Sequence, residues 1–178
     1  GMWGLSMRLT DAGHTVHLPD LYRGERFDSV EAGVAHARSV GFDTIIARGT
    51  TIAEDLGPHI VYAGISLGVL CAQKLAQTRP GARGAILLEA CIGPTEFAPA
   101  WPAGVPVQVH GMDRDPSFAL EGDLDAARQL VAAAPNEAEL FLYPGDSHLF
   151  TDSSLPSYDA NATNLVMQRL LNFLDRIG

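Results

Sequence analysis

Short apolar runs alternate along this chain with longer segments whose apolar residues recur three and four apart, and that rhythm predicts the elements. Strands are expected at His14 to Leu18, His59 to Ala63, Gly84 to Ala90, Val105 to His110 and Ala138 to Tyr143, each closed soon after by Gly, Pro or Asp. Helices are expected over Trp3 to Ala12, Ser29 to Val40, Phe42 to Leu56, Leu67 to Thr78, Glu121 to Ala134 and Ser157 to Ile177. Strands buried on both faces read as near-continuous apolar runs, and their alternation with helices predicts an α/β fold: a mostly parallel sheet with helices on both faces. In such a sheet ligands bind beyond the carboxyl ends of the strands. Pro19-Asp20, Ser66, Asp113 to Asp115 and His148 all follow predicted strand ends, so they are expected to converge on one edge.

Composition narrows the function classes. A chain of 178 residues is expected to form a single domain over residues 1–178, burying about 70% of the surface its unfolded form exposes. With 47% hydrophobic and 19% charged residues, and without an apolar run of the roughly 18 residues that a membrane span needs, it reads as a soluble protein with no membrane contact. No signal peptide is visible, which makes a cytoplasmic location the expectation. The net charge of -9 offers no basic surface to a phosphate backbone, so nucleic acid is excluded as a partner. Cys71 and Cys91 form no C-x-x-C pair and read as buried free thiols rather than metal ligands or a redox couple. No G-x-G-x-x-G stands at the first strand-helix turn, which argues against a dinucleotide-binding domain.

The sharpest local signal is Gly64-Ile65-Ser66-Leu67-Gly68, set between the apolar run Ile60-Val61-Tyr62-Ala63 and a helix-forming run from Val69 to Thr78. This is G-x-S-x-G at a strand-to-helix turn, the context in which a serine hydroxyl is projected clear of the backbone as a nucleophile. Glycines flank the serine, on this reading, because side chains there would crowd the turn. A serine at a helix start is more often only an N-cap, so the elbow needs partners before it argues catalysis.

Two later segments supply them. Val105 to His110 runs into Gly111-Met112-Asp113-Arg114-Asp115-Pro116, which brings two carboxylates to a turn. Leu140-Phe141-Leu142-Tyr143 leads through Pro144-Gly145-Asp146-Ser147 to His148. The order Ser, Asp, His is that of the α/β-hydrolases. In that arrangement His148 takes the Ser66 proton and returns it to the leaving group, while an aspartate fixes the imidazole tautomer and stabilises the imidazolium. Asp115 is favoured as that acid, with Asp113 the alternative, because a carboxylate so near Gly111 more often caps a turn. The Leu67 N–H, at the helix start, is the expected oxyanion donor.

Taken together, Pro19-Asp20-Leu21-Tyr22, Gly64-Ile65-Ser66-Leu67-Gly68, His110-Gly111 with Asp115-Pro116, and Gly145-Asp146-Ser147-His148 resemble the motifs of the dienelactone hydrolase family, within the α/β-hydrolase fold. The resemblance spans most of the chain. It implies hydrolysis of a small ester or lactone without metal or organic cofactor, and a basic residue after the Pro-Asp-Leu-Tyr motif, here Arg23 or Arg26, that meets the substrate. Tyr22, Arg23 and Phe118 are the expected pocket residues. The archetypal enzymes carry cysteine in the elbow, so Ser66 points instead to a general carboxylesterase. Alternatives are an acyltransferase or thioesterase using the same triad, or a noncatalytic small-molecule-binding member of the fold. In the family a strand and an oxyanion loop precede the first helix, yet here Trp3 to Ala12 opens the chain almost at once. A sheet lacking that N-terminal strand is therefore expected, with upstream residues absent, the two neighbouring strands paired directly or another segment in the slot, and with dimerisation across the gap or marginal stability as the consequence of a missing strand.

Overall fold

The structure, a computed structural model, describes residues 2–178. In chain order its elements are α1 (Met2–Asp11), α2 (Val30–Val40), α3 (Phe42–Glu54), β1 (Val61–Ile65), α4 (Val69–Thr78), β2 (Gly84–Leu88), β3 (Val107–Met112), α5 (Asp123–Ala133), β4 (Ala138–Tyr143) and α6 (Ala160–Ile177). They fall into two compact units, one built from residues 2–16 and 58–178 and the other from residues 17–57.

The larger unit holds the sheet, whose strands are all parallel and stand in the order β1-β2-β3-β4. Its core follows from the strand alternation. Ile86 and Leu88 of β2, Met112 of β3 and Tyr143 of β4 share one face with Leu5 and Leu9 of α1 and with Val166, Met167, Leu170 and Phe173 of α6. The opposite parity, Ala85, Leu87, Val107 and Val109, is fully buried as well, and α4 packs on β1 and β2 while α5 packs on β4. Both faces are thus covered, as near-continuous apolar strands require. Register fixes the edge that matters: Ile65 stands beside Leu88, Leu88 beside His110, and Met112 beside Tyr143. The residues that follow β1, β2, β3 and β4 therefore leave the sheet on the same side.

The smaller unit is a loop and two helices. Ser29 caps α2, its hydroxyl accepting from the Ala32 N–H at 3.1 Å, and Gly41, at φ +89°, ends α2 and starts α3.

One expected strand is absent. His14 to Leu18 forms no ladder with any strand among the described residues. A strand exists through its partner, and this half-polar run finds none; Gly13, at φ +95°, has already turned the chain out of α1. The predicted strand at His59 to Ala63 shifts to Val61–Ile65, because pairing with Gly84 to Leu88 carries through the elbow's first two residues.

Candidate active site

The turn after β1 does what its sequence predicts, with one difference. Ser66 sits at φ 49° at the head of a 3-10 turn, Ser66–Gly68, that runs straight into α4. For a residue with a side chain that left-handed conformation costs about 1–3 kcal/mol and persists only where the surroundings impose it. Gly64 is what permits it: a Cβ there would lie 2.5 Å from the Gly68 carbonyl and 2.6 Å from the Val69 nitrogen. Gly68, by contrast, would place a Cβ in open space. Crowding thus explains the first glycine of the pentapeptide and not the second.

The turn brings Ser66 Oγ to 2.9 Å from His148 Nε2. On the far side of the ring, His148 Nδ1 stands 2.7 Å from Asp115 Oδ2. Asp115 is completely buried, and its second oxygen accepts the Ser117 N–H at 2.9 Å. A carboxylate can only accept, so Nδ1 carries the proton and Nε2 is left to accept from the serine hydroxyl. Burial alone pulls the His148 pKa down, but the hydrogen bond and charge of Asp115, joined by the charges of Glu89 and Asp123, hold it above the ordinary imidazole value.

Of the two carboxylates left open by the sequence, Asp115 is the one on His148. Asp113 instead accepts the Gly145 N–H at 3.0 Å and lies 3.6 Å from Arg114, half exposed, where it closes the turn before the histidine loop. Leu67 follows Ser66 in the 3-10 turn, ahead of Val69, whose N–H bonds back to the Ser66 and Leu67 carbonyls. Phe118 is fully buried and packs so tightly over Gly111 that a Cβ on that glycine would come within 2.3 Å of its ring. Its ring is core, with no surface to offer a substrate. Tyr22 and Arg23 belong to the smaller unit. Tyr22 packs edge-on against Phe27 and His36, at 5.7 and 5.4 Å between ring centroids. Arg23, at φ 56°, lines with Asp20, Thr44, Arg48 and Thr51 a cavity of about 430 Å³. Asp20 of the Pro-Asp-Leu-Tyr motif ties that loop, accepting the Tyr22 N–H at 2.9 Å and the Gly24 N–H at 2.6 Å.

Cys71 and Cys91 are not rival nucleophiles. Burial pushes the Cys71 thiol up to about 11 and, with the nearby Asp123 charge, the Cys91 thiol up to about 12, so neither is ionised near neutral pH.

Sequence reasoning passed over Glu89, the residue after β2. It is 1% exposed, yet its carboxylate lies with those of the site: donor atoms of Glu89, Asp115 and His148 all fall within 4.8 Å of one another. Such a trio has the composition of a cation site, but each member is already engaged, Asp115 with His148 and Glu89 with the backbone of Phe150 and Thr151. The signal was an acid at the end of the apolar run Ala85-Ile86-Leu87-Leu88, since a charge buried there must have partners.

A parallel sheet with a serine on a strained strand-to-helix turn, backed by histidine and aspartate from later strand ends, defines the α/β-hydrolase class of protein. The sequence profile of the dienelactone hydrolase family matches residues 2–178, and the chain belongs to that family of hydrolases. Among solved structures it is similar to a dienelactone hydrolase-like promiscuous phosphotriesterase from metagenomic libraries, at 17% identity and a TM-score of 0.78, over 98% of this chain and 79% of the other. A Klebsiella pneumoniae subsp. pneumoniae protein assigned to the dienelactone hydrolases shares the fold at 20% identity and a TM-score of 0.72, over 95% and 78% of the two chains. An esterase of the Planctomycetes species Thermogutta terrifontis matches over 77% of this chain and 64% of its own, at 19% identity and a TM-score of 0.51. No curated protein matches. No helix among the described residues is long and apolar enough to cross a membrane.

Proposed function

We propose that this hydrolase is a serine esterase that cleaves a small carboxylic ester or lactone through an acyl-enzyme on Ser66. The observation that supports it is the unbroken hydrogen-bonded chain from Ser66 Oγ through His148 to buried Asp115. Neutral His148 takes the hydroxyl proton at Nε2 as Ser66 Oγ attacks the substrate carbonyl. The imidazolium that forms is stabilised by Asp115, and the Leu67 N–H donates to the oxyanion. His148 then hands its proton to the leaving alkoxide, leaving an ester on Ser66. A water molecule, deprotonated by the same nitrogen, releases the acid and restores the serine. A lactone differs only in that its alkoxide stays tethered to the acyl group.

The two buried cysteines, which form no disulfide, suit a reducing, cytoplasmic compartment.

Steady-state hydrolysis of p-nitrophenyl acetate and of a panel of small lactones tests this reading. Turnover by the parent that falls by about 10⁴-fold or more in Ser66→Ala and in His148→Ala is the expected result. Turnover that survives Ser66→Ala would sink the acyl-enzyme.

A further inference from the structure

We propose that Glu89 is a positioning residue for His148: its carboxylate clamps the loop that carries the histidine and presents a second negative charge to the imidazolium. The inference rests on the triad reading above and adds to it a residue that touches neither substrate nor the reacting atoms.

Glu89 leaves the carboxyl end of β2, beside the strand that ends in the Asp115 turn, and its own N–H donates to the His110 carbonyl at 2.6 Å. Its backbone is left-handed, at φ 62°. Of the four described non-glycine residues with positive φ, three belong to this site: Ser66, Glu89 and Leu149, the residue directly after His148. Strained backbone gathered at one place marks a site that the surrounding fold over-determines.

The side chain reaches across to the histidine loop. One carboxylate oxygen accepts the Phe150 N–H at 3.1 Å, and the other accepts the Thr151 hydroxyl at 2.7 Å and the Thr151 N–H at 3.3 Å. Two of these three donors are backbone amides that cannot act as acceptors, so the pattern suits the ionised carboxylate. The segment so held begins two residues after His148. The same carboxylate comes within 4.8 Å of a His148 ring nitrogen and of Asp115. The charged groups around the imidazole are Asp115 from the turn after β3, Glu89 from the end of β2 and Asp123 from the first turn of α5, all acidic. Burial raises the Glu89 pKa, against the hydrogen bonds from Thr151 and the opposing charge on His148. An imidazolium formed during catalysis strengthens the case for Glu89 remaining charged, and Glu89 in turn stabilises that imidazolium.

A merely structural role and a positioning role differ in what they do to the histidine titration. Glu89→Gln keeps the shape, removes the charge and turns an amide NH₂ toward a backbone donor. Glu89→Asp keeps the charge and withdraws it by one methylene. The His148 pKa is measured by NMR from its imidazole C2–H in the parent and both variants, alongside the pH profile of kcat/KM on p-nitrophenyl acetate.

The expected order is parent highest, Asp variant between, Gln variant lowest, with kcat in the Gln variant down about tenfold and KM within about twofold. Should Glu89→Gln fail to fold, the Asp variant decides alone, its His148 titrating below the parent. A His148 titration that stays where the parent has it, even if the melting temperature falls, would overturn the proposal and leave Glu89 as a structural clamp. The NMR titration needs no turnover. A parent that hydrolyses nothing therefore defeats the esterase reading without touching this one, and an active parent with an unmoved His148 defeats this one alone.

Discussion

On the proposed mechanism His148 must be neutral to take the Ser66 proton, and its neighbours set the pH at which it becomes so. Burial works against the charged ring, but Asp115, Glu89 and Asp123 outweigh it and keep the pKa above 6.5. The acidic limb of kcat/KM is therefore expected above pH 6.5, with activity rising as His148 loses its proton and a plateau beyond; a limb below that value in a pH-rate profile would contradict the assignment. The linked stability runs the other way. A group whose folded pKa is raised contributes fully below its unfolded value and loses that contribution as pH rises through the folded one. The two candidate acids separate cleanly at this scale. Asp115→Asn leaves Nδ1 facing an amide that no longer holds the productive tautomer, and a loss of about 10⁴ in kcat is expected. Asp113→Asn keeps an acceptor for the Gly145 N–H and is expected to stay within a few-fold of the parent. Comparable losses in the two variants would mean that the orienting acid is misassigned.

At the scale of elements, the elbow depends on one glycine more than the other. Gly64→Ala drives a methyl into the backbone of Gly68 and Val69, which cannot yield without moving Ser66. A destabilisation of about 1–3 kcal/mol is expected, with kcat/KM falling as the serine is displaced. Gly68→Ala meets nothing within 4 Å at φ -63°, and is expected to stay within about 0.5 kcal/mol of the parent with activity retained. Thermal melting and ester turnover of the pair check both halves. The elbow was legible in sequence because its pattern is local: a strand, a turn and a helix in one stretch of chain. The meeting of Ser66, Asp115 and His148 was legible for a related reason, since each follows a strand end and a parallel sheet gathers such ends on one edge. Glu89 was not, because its partners Phe150 and Thr151 lie 61 and 62 residues away and only the tertiary fold brings them together. His14 to Leu18 failed for the converse reason. Alternation in one segment cannot say whether a neighbour is there to pair with. Phe118, an aromatic just past a strand end, had the sequence position of a pocket residue, and only the absent side chain of Gly111 lets its ring turn inward.

A histidine other than His148 carries a second titration. His110 is fully buried in β3 between Tyr143, whose hydroxyl lies 2.8 Å from Nδ1, and Gln108, 3.2 Å from Nε2. Burial, helped by the Arg169 charge, pushes its pKa down to about 3. Above pH 6.5 neither folded nor unfolded chain protonates this ring; below it the unfolded chain does and the folded one does not, so stability drains away between pH 6.5 and about 3. His110→Phe is expected to be less stable than the parent at pH 7 by about 1–3 kcal/mol, since Tyr143 and Gln108 lose a partner, yet to lose less on acidification to pH 4.5. Parallel denaturation curves for the two proteins at both pH values would contradict a neutral, buried His110. Over the molecule as a whole, the alternation of apolar strands and helices predicted the layers correctly. The division into two compact units, by contrast, has no marker in composition, because residues 17–57 carry neither a linker nor a charge run. An activated serine reacts covalently with a fluorophosphonate whatever its natural substrate, so intact-mass spectrometry after exposure to such a probe tests Ser66 directly. The prediction is a single adduct on the parent chain that is lost in both Ser66→Ala and His148→Ala; a parent chain that takes up no probe, or a Ser66→Ala variant that still does, would contradict it.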